Sequence, residues 1–158
     1  KNMVDTAYYQ TEVGILRIGV RDGKICSIEL ENDYKGNLPG GQQTECSKQA
    51  AIQIEEYFKG QRKQFDLPLD LSGTEFCKKV WACLLEIPYG ETRSYKDIAI
   101  AVGNEKAARA VGMANHRNPI MIVIPCHRVI GTNGTLVGYA GGLEVKKKLL
   151  NTEGICCD

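Results

Sequence analysis

An α/β fold in two parts, a small α/β domain followed by a mainly helical one, is what this sequence predicts. Apolar residues alternate on both sides of Asp22-Gly23, from Thr74 onward the apolar spacing becomes helical, and 158 residues suit one domain or two small ones. In order, Leu16, Ile18 and Val20 alternate before the turn and Cys26, Ile28 and Leu30 after it, which predicts a hairpin within strand-like segments from Thr6 to Leu30. A loop is expected from Asn32 to about Glu45, containing Pro39-Gly40-Gly41. A helix follows over about Ser47 to Phe58, with Ala51, Ile54, Tyr57 and Phe58 on one face. Gln61 to Leu71 suggests one more strand and a linker, so the domain boundary is placed near Ser72, giving domains 1–71 and 72–158.

In the second part, Phe76, Val80, Trp81, Leu84 and Leu85 mark a helix over Thr74 to Glu86, ended by Pro88-Tyr89-Gly90. Ser94 can cap a helix from about Tyr95 to Val102, and Gly103-Asn104 breaks it before a third helix from about Glu105 to Asn115. Two short helices joined by a glycine turn form a helix-turn-helix outline. The third helix carries the small residues Ala107, Ala108, Ala110, Gly112 and Ala114 around a single Arg109. Small side chains allow close approach, either to the protein's own interior or to a DNA backbone, where Arg109 would fill the space of a displaced base.

The apolar run Ile120 to Ile124 predicts a strand covered on both faces, stopped by Pro125. Directly after it stand Cys126, His127 and Arg128. A thiolate is the reactive form of cysteine, and a neighbouring imidazole can take its proton while Arg128 adds a positive charge. In an extended chain the two side chains would point to opposite faces, so joint chemistry requires a turn or a bridging water. The alternative is that Cys126 is a small buried hydrophobe.

Seven cysteines without paired spacing, and no signal peptide ahead of them, argue against a secreted disulfide framework and for a reducing cytosol or nucleus. Neither His116 nor His127 has a C-x-x-C partner, so no catalytic metal is expected. No stretch is long enough to span a bilayer. Residues 1–71 hold nine basic and eleven acidic side chains, while 72–158 hold eleven and eight. That imbalance points the second part toward an anionic partner.

Taken together, Ile87-Pro88-Tyr89-Gly90-Glu91-Thr92, Ser94-Tyr95, Ala107 to Gly112, Asn118-Pro119, Ile124 to Val129, Tyr139 to Leu143 and Glu153-Gly154 resemble, in order and spacing, the O6-alkylguanine-DNA alkyltransferases, also called methylated-DNA-protein-cysteine methyltransferases. The resemblance covers Gly73 to Gly154 closely and the first part in outline. It implies a ribonuclease-H-like first domain and a winged-helix-like DNA-binding second domain with the helix-turn-helix. It implies that Cys126 accepts an alkyl group from guanine O6 irreversibly, once per molecule. A relay of Glu153, His127 and a water would deprotonate it, Tyr95 would donate toward guanine N3, and Asn118 would tie the third helix to the active-site segment.

By the same resemblance, Arg109 intercalates and Ala107, Ala108, Ala110, Gly112 and Arg128 face DNA. Val129, Tyr139 and Ala140 bound the flipped base, with Lys146 in the same region. Ala140 stands where some members have serine, which leaves that contact to the backbone. Some members hold a structural zinc through histidines in the first part; this chain has none before His116. No cofactor is implied. The implied partner is double-stranded DNA containing O6-alkylguanine, bound through the minor groove by a monomer without a membrane role. The implied location is the cytoplasm, or the nucleus in a eukaryote.

Two competing classes are a damage sensor that flips the base without transfer, whose known alkyltransferase-like examples lack the acceptor cysteine, and a cysteine hydrolase built on Cys126 and His127. Glu153 gives one independent hint. If Leu143 to Thr152 form a helix ending at Gly154, a carboxylate at Glu153 sits at the unfavourable negative end of the dipole. Either a function or exposure to screening water would explain that placement.

Overall fold

The computed structural model describes residues 3–31, 41–139 and 141–156. The chain divides into two compact units, Lys1–Leu71 and Ser72–Asp158. In the first, β1 (Asp5–Thr11), β2 (Gly14–Arg21) and β3 (Lys24–Leu30) form an antiparallel meander in that order, and α1 (Glu45–Phe58) packs against it. Asp22 and Gly23, both with positive φ, make the tight turn that matches the twist of a hairpin. Leu16, Ile18 and Val20 are buried as their alternation requires.

In β3 the inward residues are Ile25 and Ile28, three apart, because the register shifts between Gly19 and Val20. Gly19 pairs with Ser27 and Val20 with Ile25, which leaves Cys26 as the extra residue of a β-bulge. The alternation of Cys26, Ile28 and Leu30 therefore assigns Cys26 to the wrong face. Thr44 and Ser47 form a capping box, which starts α1 two residues earlier than its apolar pattern does. Gln61–Leu71 contributes one isolated bridge, Leu69 to Ile25, rather than a further strand. Pro68 has no N–H to donate and joins through its carbonyl, which accepts from the Ile25 N–H at 2.8 Å.

The second unit contains α2 (Glu75–Leu85), β4 (Arg93–Ser94), α3 (Tyr95–Ala101), α4 (Ala108–His116), a 3₁₀ turn (Cys126–Arg128), β5 (Val129–Ile130) and α5 (Leu143–Thr152). Both α2 and α3 pack on α4, and the Trp81 indole N–H donates to the Ala114 carbonyl at 2.9 Å. The helix α4 begins at Ala108 rather than Glu105, because Asn104 holds a turn ahead of it. The Asn104 side chain accepts from the Lys106 N–H at 3.1 Å and its carbonyl from the Ala107 N–H at 3.0 Å.

The expected strand over Ile120–Ile124 is instead a buried chain of turns. Val123 N–H donates to Met121 O at 2.8 Å and Ile124 N–H to Ile120 O at 3.0 Å, with Ile122 at φ 73°. All five residues are buried. Burial on every side produces an unbroken apolar run whatever the backbone does, so the pattern could not separate the two conformations.

One small piece of topology positions the site. The parallel pair β4–β5 aligns Arg93 with Val129 and Ser94 with Ile130. Tyr95 follows β4 directly and Cys126–Arg128 precede β5 directly. The start of α3 and the cysteine turn are thereby held side by side.

Candidate active site

Cys126, His127 and Arg128 form a single 3₁₀ turn, all buried. Asn118 fixes the approach to that turn. Its side-chain N–H donates to Ile124 O at 2.8 Å and its side-chain oxygen accepts from Ile120 N–H at 2.9 Å, so one amide closes both ends of the irregular segment. Asn115, on α4, donates to the Cys126 carbonyl at 3.3 Å. The end of α4 and the cysteine turn are joined by these two asparagines.

The Cys126 residue is 5% exposed. Burial pushes its thiol pKa up, opposed by hydrogen bonds from the side chains of Asn118 and Tyr139 and by the charge of Lys146. The resting group is thus a thiol that needs a base. Tyr95 lies near the same sulfur. Its pKa is raised, first by burial and then by the sulfur of Cys126, against a hydrogen bond from Asn115. The hydroxyl therefore keeps its proton and donates it to Val137 O at 3.2 Å.

The base stands next in the turn. His127 is fully buried, with Nε2 2.7 Å from Oε2 of Glu153. Nε2–H donating to a carboxylate leaves the lone pair on Nδ1, the tautomer a general base requires. Burial pushes the imidazole pKa down; Glu153 opposes this, while Arg128 and Lys146 push it further down. The ring is accordingly neutral at neutral pH.

Glu153 is the C-cap of α5, with its side chain 0% exposed, so water does not screen it from the helix dipole. Polar partners compensate instead. Its oxygens accept from His127, from Arg128 Nε and Nη2 at 2.9 and 3.0 Å, and from the Gly90 N–H at 2.9 Å. Gly90 adopts φ 83°, a conformation that favours glycine and turns its N–H onto the carboxylate.

The sequence placed Arg128 on DNA, and the geometry corrects that. Its side chain is 7% exposed and its remaining nitrogen, Nη1, donates to Ile87 O at 2.7 Å. A guanidinium this buried, with each of its three nitrogens already on a buried acceptor, is withdrawn from phosphate. Lys146 is equally buried, its ammonium 2.7 Å from Val129 O and 3.1 Å from Val137 O. It pins the loop after β5 rather than facing solvent. Val129 N–H donates to Cys126 O, and its carbonyl accepts from Lys146. Tyr139 is half-buried beside the sulfur, and Ala140 lies outside the described residues.

Arg109 and Ala110 are exposed on α4, and Ala107, Ala108 and Gly112 are half-buried. A shallow hollow of about 540 Å³ is lined by Tyr95, Ala108, Arg109, Gly112, Met113, His116 and Arg117. A Cβ built on Gly112 would sit 3.8 Å from the Tyr95 ring, an ordinary contact. Internal packing therefore does not require the absence of a side chain there. The same tyrosine lines the hollow and acts on the Cys126 sulfur, which makes it the link between the outer face and the thiol.

Two family models cover these units. Residues 4–71 match the ribonuclease-like domain of 6-O-methylguanine DNA methyltransferase, and residues 75–155 match its DNA binding domain. The chain belongs to the 6-O-methylguanine DNA methyltransferase family. It is 48% identical over 153 residues to methylated-DNA–protein-cysteine methyltransferase of Methanosarcina acetivorans, which covers 95% of this chain and 98% of that protein. It is likewise 48% identical over 153 residues to the constitutive methylated-DNA–protein-cysteine methyltransferase of Bacillus subtilis, covering 92% of this chain and 93% of that one. The crystal structure of Mycobacterium tuberculosis OGT in complex with DNA superposes with a TM-score of 0.84 at 41% identity, covering 92% of this chain and 90% of that one.

As a 6-O-methylguanine DNA methyltransferase family member, the chain has the fold its sequence predicts, a small sheet domain before a helical DNA-binding domain. The sequence did not reveal Asn115, the Gly90 N–H or the seating of Arg128 on Glu153. These contacts join residues 11, 63 and 25 positions apart, and no local spacing signals them. Among the described residues no group of three or more His, Cys, Asp or Glu could hold a metal, and no helix is long and apolar enough to cross a membrane.

Proposed function

We propose that this chain repairs O6-alkylguanine in double-stranded DNA, transferring the alkyl group to the sulfur of Cys126 in a single irreversible turnover. The observation that carries the reading is a buried thiol beside Tyr95 and adjacent in one turn to a neutral imidazole held by a buried carboxylate, in a chain matched by both family models. The bond balance is simple. A sulfur–carbon bond forms as the carbon–O6 bond breaks, the electron pair stays with guanine, and the thiol proton replaces the proton that the freed base takes up.

Each residue has one task. His127 Nδ1 removes the thiol proton through one water, with Glu153 fixing the ring and stabilising the imidazolium as it forms. Tyr95 exchanges Val137 O for guanine N3 and neutralises charge on the leaving base. Asn118 holds the turn, while Val129, Tyr139, Ala140 and Lys146 shape the wall against the base. Unit 72–158 performs both DNA binding and chemistry.

On DNA, Ala107, Ala108, Ala110 and Gly112 let α4 lie deep in the minor groove, and Arg109 fills the vacated stack. The protein acts as a monomer in the cytoplasm, or in the nucleus of a eukaryote, away from membranes. Because the minor groove carries a degenerate code, binding depends little on sequence. Arg109→Ala is expected to lower repair of methylated duplex by about 10- to 100-fold, the worth of a few kcal/mol of base extrusion, and to leave reaction with free O6-alkylguanine base unchanged. Parallel kinetics on both substrates test this; equal losses on the two would remove the intercalating role.

A further inference from the structure

We propose that Arg128 is a positioning residue of alkyl transfer: by binding both oxygens of Glu153 it holds the carboxylate as an acceptor toward His127 and keeps the imidazole in the neutral form that takes the Cys126 proton. This deepens the function proposed above and rests on it. The geometry is specific. Nε and Nη2 meet Oε1 and Oε2 at 2.9 and 3.0 Å in a paired, side-on arrangement, and Nη1 anchors the guanidinium to Ile87 O at 2.7 Å. A lysine presents a point charge and cannot reproduce that fork. The Tyr89 ring lies 5.8 Å from the guanidinium carbon and closes its other side.

The chemical reason is competition for one carboxylate. A buried imidazole bonded to an unshared glutamate is drawn to its protonated form, in which it cannot act as a base. Arg128 takes up the same two oxygens and places a positive charge beside the ring, and both effects disfavour the imidazolium. The charged groups acting on His127 are Glu153 and Lys146 from α5 and its cap, and Arg128 from the turn itself. Cys126 adjoins it in the turn, with Tyr95 facing that sulfur from α3. Of the other helices at the turn, α2 buries Cys77, Val80, Trp81 and Leu84, and α4 contributes the uncharged Asn115. Lys146 supplies charge too, and its ammonium is held by the backbone carbonyls of Val129 and Val137.

The sign of the pH effect follows. Repair needs neutral His127, so the rate falls on the acid side as the ring protonates. Without Arg128 the ring holds its proton to higher pH, and the acid limb moves upward. The experiment measures the repair rate constant against pH for the full chain and for Arg128→Gln and Arg128→Lys, with free O6-alkylguanine base as substrate. Arg128→Gln is expected to shift the acid limb up by about one pH unit, leaving about 10-fold lower activity below it, and Arg128→Lys to recover part of that shift.

Profiles that are scaled down but parallel to the unsubstituted protein would overturn the proposal, because a purely structural contact lowers the rate equally at every pH. Loss of a cooperative melt in both variants would also overturn it, assigning Arg128 to stability alone. Failure of the unsubstituted protein to react at any pH would instead contradict the proposed function, so the two failures are distinguishable.

Discussion

Glu153→Gln is expected to abolish alkyl transfer at neutral pH and to destabilise the protein by about 3–5 kcal/mol, lowering its melting temperature by about 10 °C. Two effects combine. The amide removes the counter-charge of a guanidinium whose side chain is 7% exposed, which leaves Arg128 charged and unpaired in a dry setting. It also presents an NH₂ group to at least one of the donors on His127, Arg128 or Gly90 that now meet an oxygen. The Nε2–H tautomer of His127 loses its acceptor or its orientation, and Nδ1 can no longer take the thiol proton through the bridging water. Thermal melting and single-turnover repair on the same preparation check both halves. A variant that melts normally and still repairs would show that the carboxylate orients nothing.

The other large effect is at the acceptor. Cys126→Ala is expected to lose transfer completely while still binding methylated duplex DNA, because the hollow on α4 and the Tyr95 ring are untouched. The sulfur is buried, so its removal also leaves a small cavity that costs about 1 kcal/mol in stability. Gel shift with methylated duplex, run beside the repair assay, separates retained binding from lost chemistry. Residual transfer would move the acceptor to another thiol.

Much of this was legible in the sequence for a physical reason: the chemistry sits on contiguous residues. Cys126, His127 and Arg128 are neighbours in one turn, Asn118 and Ile120–Ile124 lead directly into it, and the Ser94 cap fixes the start of α3 beside it. Glu153 was visible by its awkward place at a helix C-terminus, and its burial excludes the screening account. What stayed hidden was set by partners far along the chain. The alternation of Cys26, Ile28 and Leu30 is regular in sequence, but a bulge opposite Gly19 and Val20 turns Ile25 inward instead.

Arg128 shows the same limit in functional form. An arginine beside a cysteine and a histidine looks equally suited to phosphate and to a buried carboxylate, and only the fold brings Glu153 to it. The run Ile120–Ile124 signalled its burial correctly, whereas its backbone depends on the Asn118 amide and on the positive φ at Ile122.

The most direct test mixes the full chain with duplex DNA carrying O6-methylguanine and follows both products. Trypsin releases residues 118–128, in which Cys126 is the sole cysteine. One added methyl on that peptide, with guanine restored in an amount equal to the protein present, is the expected result. Continued demethylation beyond that amount, a methyl on any other cysteine, or restored guanine with an unmodified 118–128 peptide would contradict the account.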